Sequence, residues 1–328
     1  MSGEETSSEV DKVKVSQDQR ALLELCAIRV NDKSPDWSVL AREATRVGAI
    51  ADLTQGLLTE KSAAAKRTAE LIHKGLDHRD EWAARVDDEL ELAASVGARL
   101  ITVLDDNYPV NLRLIYNLPP FLFVRGTEWS DGDVRSVAVV GTRNPSPLGR
   151  KRAGQLASQL TKNGVVVISG LARGIDSAAH EATLSAGGRT IAVIGTGITQ
   201  TYPKENRELA ERIVERGVVV SQFWPSTSPA KWTFPRRNVV MSGIAQGTAV
   251  VEASSTSGAR MQARLALEHG KKVFLLHSLI TDQPWAQKFV ADRGAIEVAS
   301  VEEIVERLAA PERVQAVSTA RQLTLGLA

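Results

Sequence analysis

Four stretches of the chain set cations, glycines and hydroxyls at spacings suited to a phosphate-bearing ligand. The first is GTRNPSPLG, residues 141–149. Gly141 permits a tight departure from a strand, Thr142 offers a hydroxyl, and the planar guanidinium of Arg143 matches a phosphate. A plain strand-to-helix turn has the same composition. The second is SGLARGID, 169–176, where Ser169 and Gly170 end a strand and Arg173 and Gly174 lead into a helix. Two glycines around an arginine can shape a nest of backbone N–H groups for an anion. Asp176 reads as a helix cap or as compensation of the helix dipole. His180, four residues on, reads as a general base, a polar contact or, most simply, a hydrogen-bonded structural histidine. In the third stretch Gly195, Thr196 and Gly197 make a strand exit that fits a phosphate, a sugar or mere turn geometry. The fourth, PSTSPAKWTFPRRN (225–238), reads as an irregular loop with a helix from about 236. It interleaves Lys231, Arg236 and Arg237 with Trp232 and Phe234 and ends on Asn238. Cations beside aromatics suit combined phosphate contact and base stacking, whereas an anchor for a long loop is the alternative for Trp232. Ser257 and Gly258 open a further helix with Arg260 and Arg264 on one face, and Glu252 is expected to steady the basic loops through ion pairs.

No catalytic set assembles around these loops. The single cysteine, Cys26, excludes an internal disulfide, a four-cysteine zinc site and an iron–sulfur cluster within one chain. The five histidines (73, 78, 180, 269 and 277) have no metal-ligand spacing. There is no Walker A sequence, no GxSxG, and no GxGxxG after the first apolar strand. By elimination the loops belong to a binding platform, with no metal and no cofactor implied.

The elements that must position them fall into two regions. With 328 residues, 43% of them hydrophobic, the chain can bury a core and suits about two domains. Residues 1–15 read as a disordered tail and 16–91 as a small all-helical domain of short, Ala/Glu/Arg-rich, glycine-closed segments. Across 92–309, apolar strands such as SVAVVG, VVVISG and TIAVIG alternate with helices. Strands that are apolar on both faces belong to a mostly parallel sheet covered on each side, so the expected fold is α/β and Rossmann-like. Residues 310–328 are too few for another domain and read as a C-terminal tail. Charge follows the same division: residues 1–90 carry 13 Lys/Arg against 18 Asp/Glu, and the remainder 27 against 21. No signal peptide and no apolar run of transmembrane length is visible, which points to a soluble, cytoplasmic chain.

Taken together, DDNYP, PPFLFVRG, VAVVGTR, SGLARGIDSAAH, GGRTIAVIGTG, YPKENRELA, FPRRN, VVEA and SG…ARLALEHG form a co-linear set over roughly 95–295 that resembles the DNA-processing protein A (DprA/Smf) family. The resemblance implies an extended Rossmann-like core that binds single-stranded DNA without known catalysis and forms a homodimer. It also implies loading of a RecA-type recombinase onto DNA that single-strand-binding protein can coat, during DNA uptake and recombination. Carried over by motif, the residues expected at DNA are Arg143, Gly170, Arg173, Lys231, Phe234, Arg236 and Arg237. The chain departs from the family at Gln222, where an acidic residue is usual, and at His277–Ser278, where a PG pair is common. The loop that follows, SLITDQPWAQKFVADRGA, keeps little of the family pattern, and no C-terminal winged-helix domain is evident. Three alternatives remain. A nucleotide hydrolase of the phosphoribohydrolase type would place PGGxGTxxE where this chain has GTGITQTYP. The others are a protein-interaction scaffold and a DprA-like protein serving another DNA-linked pathway.

Overall fold

The computed structural model describes residues 13–326. Nine short apolar segments become strands: β1 Arg99–Thr102, β2 Phe121–Gly126, β3 Ser136–Val140, β4 Val166–Ser169, β5 Thr190–Val193, β6 Val218–Ser221, β7 Gly247–Val250, β8 Lys272–Leu276 and β9 Ile296–Val298. They form one sheet in the order β1-β2-β6-β5-β4-β3-β7-β8-β9. The pairs from β6 across to β9 are parallel, while β1–β2 and β2–β6 are antiparallel.

Period-two alternation explains why the strands carry no polar face. In β3, Val137 and Val139 join a core with Leu156 and Leu160 of the helix Pro147–Lys162. Ala138 and Val140 join the opposite core with Val240 and Met241 of the helix Thr233–Ile244. Both faces are thus covered by helices, as the apolar runs predict.

Chain order fixes where a ligand can sit. From β3 the strands step outward through β4, β5 and β6, and the next three, β7 to β9, lie on the other side of β3. The order therefore reverses between β3 and β7. The loops beyond their C-terminal ends diverge and leave a crevice, the usual ligand position in open α/β sheets.

Among the described residues five α-helices precede the sheet: Gln17–Ala27, Trp37–Ala44, Ala49–Leu53, Ala63–Gly75 and Arg79–Ser95. Ser16, Asp36 and Ser62 cap the first, second and fourth by accepting backbone N–H bonds, which places their starts. The helices share one apolar core with the sheet. The Trp37 ring lies 5.0 Å from that of Phe121, and the Glu89 carboxylate accepts from the Ser226 backbone N at 2.9 Å.

Several segments differ from the sequence expectation. Residues 1–12 of the expected tail lie outside the described residues, while Val13 and Val15 pack against the core. The helix expected from about 236 begins at Thr233, because Pro235 falls in the first turn, where no N–H is needed. The stretch 278–295, read as a loop, lies largely within the helices His277–Asp282 and Pro284–Arg293. Residues expected as a C-terminal tail form the helix Pro311–Gly326, whose Val314 and Ser318 are buried. Among the described residues no helix is long and apolar enough to cross a membrane.

Candidate functional site

The crevice beyond β3 and β7 has a volume of about 440 Å³. Its wall begins at Gly141, where any Cβ would lie 2.4 Å from Ile175 Cγ1. Opposite, Gly174 has φ +82°, and a Cβ there would lie 2.5 Å from the Thr142 carbonyl oxygen. Two glycines are therefore required for the loops after β3 and β4 to touch. Ile175 N donates to the Thr142 carbonyl at 3.2 Å, which joins these two loops, and Thr142 N donates to the carbonyl of Glu252, just after β7, at 2.7 Å. The Glu252 carboxylate accepts from Ser146 N at 3.0 Å and Ser146 Oγ at 2.7 Å. Glu252 thus steadies the first loop through the N-cap of the next helix, not through the expected ion pair with a cation.

The floor is a buried ion pair. Arg237 sits with Nη1 3.9 Å from Asp176 Oδ2, and both side chains are 7% exposed. Nη1 also donates to the Val193 carbonyl at 3.3 Å, and Nε has no partner. Burial lowers the Arg237 pKa, opposed by Asp176; burial raises that of Asp176, opposed by Arg237. Asp176 also accepts from Gly170 N at 3.1 Å and Ala172 N at 3.4 Å, so it closes the SGLARG loop rather than capping the helix end. A Cβ on Gly170 would lie 1.2 Å from Arg237 Nη1. The next residue, buried Leu171, holds φ +55°, and its carbonyl accepts from Asn206 Nδ2 at 2.9 Å. Backbone held in this way by its surroundings is concentrated at functional sites.

The expected residues fall into two sets. Ser169 is buried and donates to the Val139 carbonyl at 2.6 Å. Arg173 is exposed but paired with Glu205 at 2.5 Å. Asn238 is buried against the helix Gly258–Glu268, and His180 bonds Thr190 Oγ1 at 2.7 Å with its pKa lowered to about 3 by burial. The Gly195-Thr196-Gly197 turn is committed internally: Thr196 Oγ1 donates to the Gln200 carbonyl, Gly197 N to the Thr227 carbonyl, and Gly195 backs onto Phe234. It is a buried turn with no open phosphate cradle. Arg143, by contrast, is exposed and lies 5.4 Å over the Phe234 ring, whose neighbour is Tyr202 at 5.7 Å. Lys231 and Arg236 are exposed as well.

Arg236 does not join Arg143. It stacks over Trp232 at 5.4 Å and faces a second cavity, between the N-terminal helices and the sheet, with Arg29, Lys33, Arg67 and Arg85. Sequence reasoning missed these four because their region is net acidic and they are spread over 57 residues. Among the described residues no group of three or more His, Cys, Asp or Glu is placed to hold a metal ion.

Comparison with known proteins bears on this geometry. Residues 99–309 match the family model described as DNA recombination-mediator protein A. The chain is 37% identical over 219 residues to the DNA processing protein DprA of Bacillus subtilis, covering 66% of this chain and 73% of that protein. Other curated relatives are matched over less than two thirds of their length. The X-ray structure of DNA processing protein A from Streptococcus pneumoniae superposes with a TM-score of 0.69 at 28% identity, covering 91% of this chain and all of that one. DNA processing protein A from Helicobacter pylori, described for its unique single-stranded DNA binding mode, gives 0.57 at 25% identity, over 64% of this chain and 94% of that one.

Proposed function

We propose that this chain, which belongs to the DNA recombination-mediator protein A family, captures single-stranded DNA at the crevice between β3 and β7. The observation that carries this reading is the Arg143 guanidinium, exposed and held over Phe234 at the crevice mouth. Arg143 and Lys231 supply charge for phosphates, and Phe234 a ring for a base whose face is free only in a single strand. Arg237, Asp176, Gly170 and the Thr142 backbone shape the surface without touching phosphate themselves. The site binds and orients; it is not read as a catalytic centre. On the same reading the core is an extended Rossmann-like fold. The protein acts in the cytoplasm as a homodimer, whose two sites raise avidity, and passes its strand to a RecA-type recombinase in the presence of single-strand-binding protein. The internal commitment of the Gly195–Gly197 turn speaks against the hydrolase alternative.

The test is fluorescence anisotropy of a single-stranded oligonucleotide across a salt series, with duplex DNA and AMP as competitors. The expected outcome is tight binding whose log affinity falls with log salt by about 0.7 per phosphate neutralised, with weak competition by duplex. Arg143→Glu should weaken all oligonucleotide sequences alike, by about tenfold or more, because phosphate contacts carry no base information. Unchanged affinity in that variant would remove the crevice from the proposal.

A further inference from the structure

The second cavity is larger than the crevice, at about 770 Å³, and its lining is unlike an ordinary domain seam. Five cations converge on it from separate elements: Arg29, Lys33, Arg67, Arg85 and Arg236. Among the described residues none of Arg29, Lys33, Arg67 and Arg236 is held in an ion pair. The one carboxylate in the lining, Asp36, is engaged in capping Ser38 N at 2.9 Å and Val39 N at 3.2 Å. Burial, then the like charges of Arg85 and Arg236, lower the pKa of Arg29, and Asp32 opposes them. Such a cluster, with cations in excess, suits an anion.

The inner wall is polar and unsatisfied. Gln222 Nε2, Trp224 Nε1 and Asn117 Oδ1 are buried without a hydrogen-bond partner, and all three residues line this cavity. Gln222 is 8% exposed and Trp224 3% exposed, and Asn117 is half-buried. Buried polar atoms are normally paired, and two donors and one acceptor left over in the residues of one lining are the kinds of group that a nucleobase can satisfy. Trp37, Phe223 and Trp232 add aromatic walls, and Trp232, 54% exposed, offers its ring at the rim.

We propose that this interdomain cavity is a second nucleotide site, which takes a phosphorylated nucleoside with its phosphate among Arg29, Arg67, Arg85 and Arg236 and its base against Gln222, Asn117 and Trp224. The unit comes either from a free nucleotide or from a single strand that continues out of the crevice. The second source is reasonable because Phe234 and Arg237 face the crevice while Trp232 and Arg236 face the cavity, all at the start of one helix. Only this strand arm rests on the DNA reading above; the free-nucleotide arm stands independently.

The experiment titrates the full chain by calorimetry with dAMP, dATP and inorganic phosphate, and by anisotropy with oligonucleotides of about 6 and about 20 nucleotides, lengths that bracket single-strand site sizes. The variants are the cavity pair Arg29→Glu with Arg67→Glu, the inner-wall change Gln222→Ala, and Arg143→Glu in the crevice. Binding of dAMP and dATP, weakened at least tenfold by the double variant and unaffected by Arg143→Glu, supports the free-nucleotide source. Gln222→Ala should weaken dAMP while leaving inorganic phosphate unchanged, a split that a purely electrostatic pocket would not give. No mononucleotide binding, with the long oligonucleotide alone weakened by the double variant, supports the strand source. The proposal is overturned if neither mononucleotides nor the long oligonucleotide respond to the cavity variants, whatever Arg143→Glu does. Loss of oligonucleotide binding in Arg143→Glu is read separately and decides only the crevice.

Discussion

The two sides of the crevice use the same residue types to opposite ends. On the β4 side, Arg237 and Arg173 are each matched to a carboxylate, Asp176 and Glu205, and the loop backbone is hydrogen-bonded to the same Asp176. On the β3 side, Arg143 faces an aromatic ring, with no ion pair among the described residues, and Lys231, before the helix Thr233–Ile244, is likewise exposed and unpaired there. An arginine is therefore structural where the fold buries it with an acid within about 4 Å, whereas a solvent-facing pair such as Arg173–Glu205 adds little. The motif around it does not decide. The buried Arg237–Asp176 pair of the closed side should answer to stability measurements and the open side to binding measurements.

The sharpest way to break this division is Arg237→Met. Removing one member of a buried pair leaves Asp176 uncompensated, and a loss of about 3–5 kcal/mol is expected in denaturant unfolding. Arg237 lowers the Asp176 pKa, so its removal lets burial raise that pKa further. A group with a raised folded-state pKa binds more protons folded than unfolded, and its burden grows as pH rises. The deficit of Arg237→Met relative to wild type should thus shrink between pH 7 and pH 5; a deficit independent of pH would place the charge elsewhere. Gly170→Ala comes next, at about 1–3 kcal/mol, because the new Cβ must displace the Arg237 guanidinium.

A smaller effect tests the closed side through His180. Burial holds its folded pKa at about 3, below its ordinary 6.5, so the unfolded chain binds more protons in that interval. Its contribution is full above pH 6.5 and is lost as pH falls toward 3. Thermal unfolding should show that slope, reduced in His180→Gln. The smallest stability effects belong to exposed positions: Arg143→Glu should move unfolding by no more than about 0.5 kcal/mol. Arg173→Ala, on the solvent-facing pair with Glu205, should leave the unfolding midpoint unchanged. A large stability loss from Arg143→Glu would erase the distinction between the two sides.

Much of this was legible in the chain itself. Apolar runs such as SVAVVG and TIAVIG become buried parallel strands because nothing in them suits a solvated face. Gly141 and Gly174 become the loop contacts that their motifs suggest. What was not legible depends on distances between segments far apart in sequence. Arg143 and Arg237 look alike as motif arginines, and only the approach of Asp176, 61 positions before Arg237, buries one of them. The Gly195–Gly197 turn looks like a phosphate loop until the Thr227 and Gln200 carbonyls are brought to it. The cavity cations were invisible because summed charge hides a patch: Arg29, Arg67 and Arg85 share a surface only after the helices pack.

The missing side chain at position 170 has a consequence beyond energetics. Because the Arg237 guanidinium occupies the space that a Cβ would need, the two residues interlock like a key and its ward. A larger residue at 170 is accommodated most simply by a shorter one at 237, and that shorter residue strips Asp176 of its partner. The three positions therefore answer to mutation as one unit, and a change at any of them is felt at the other two.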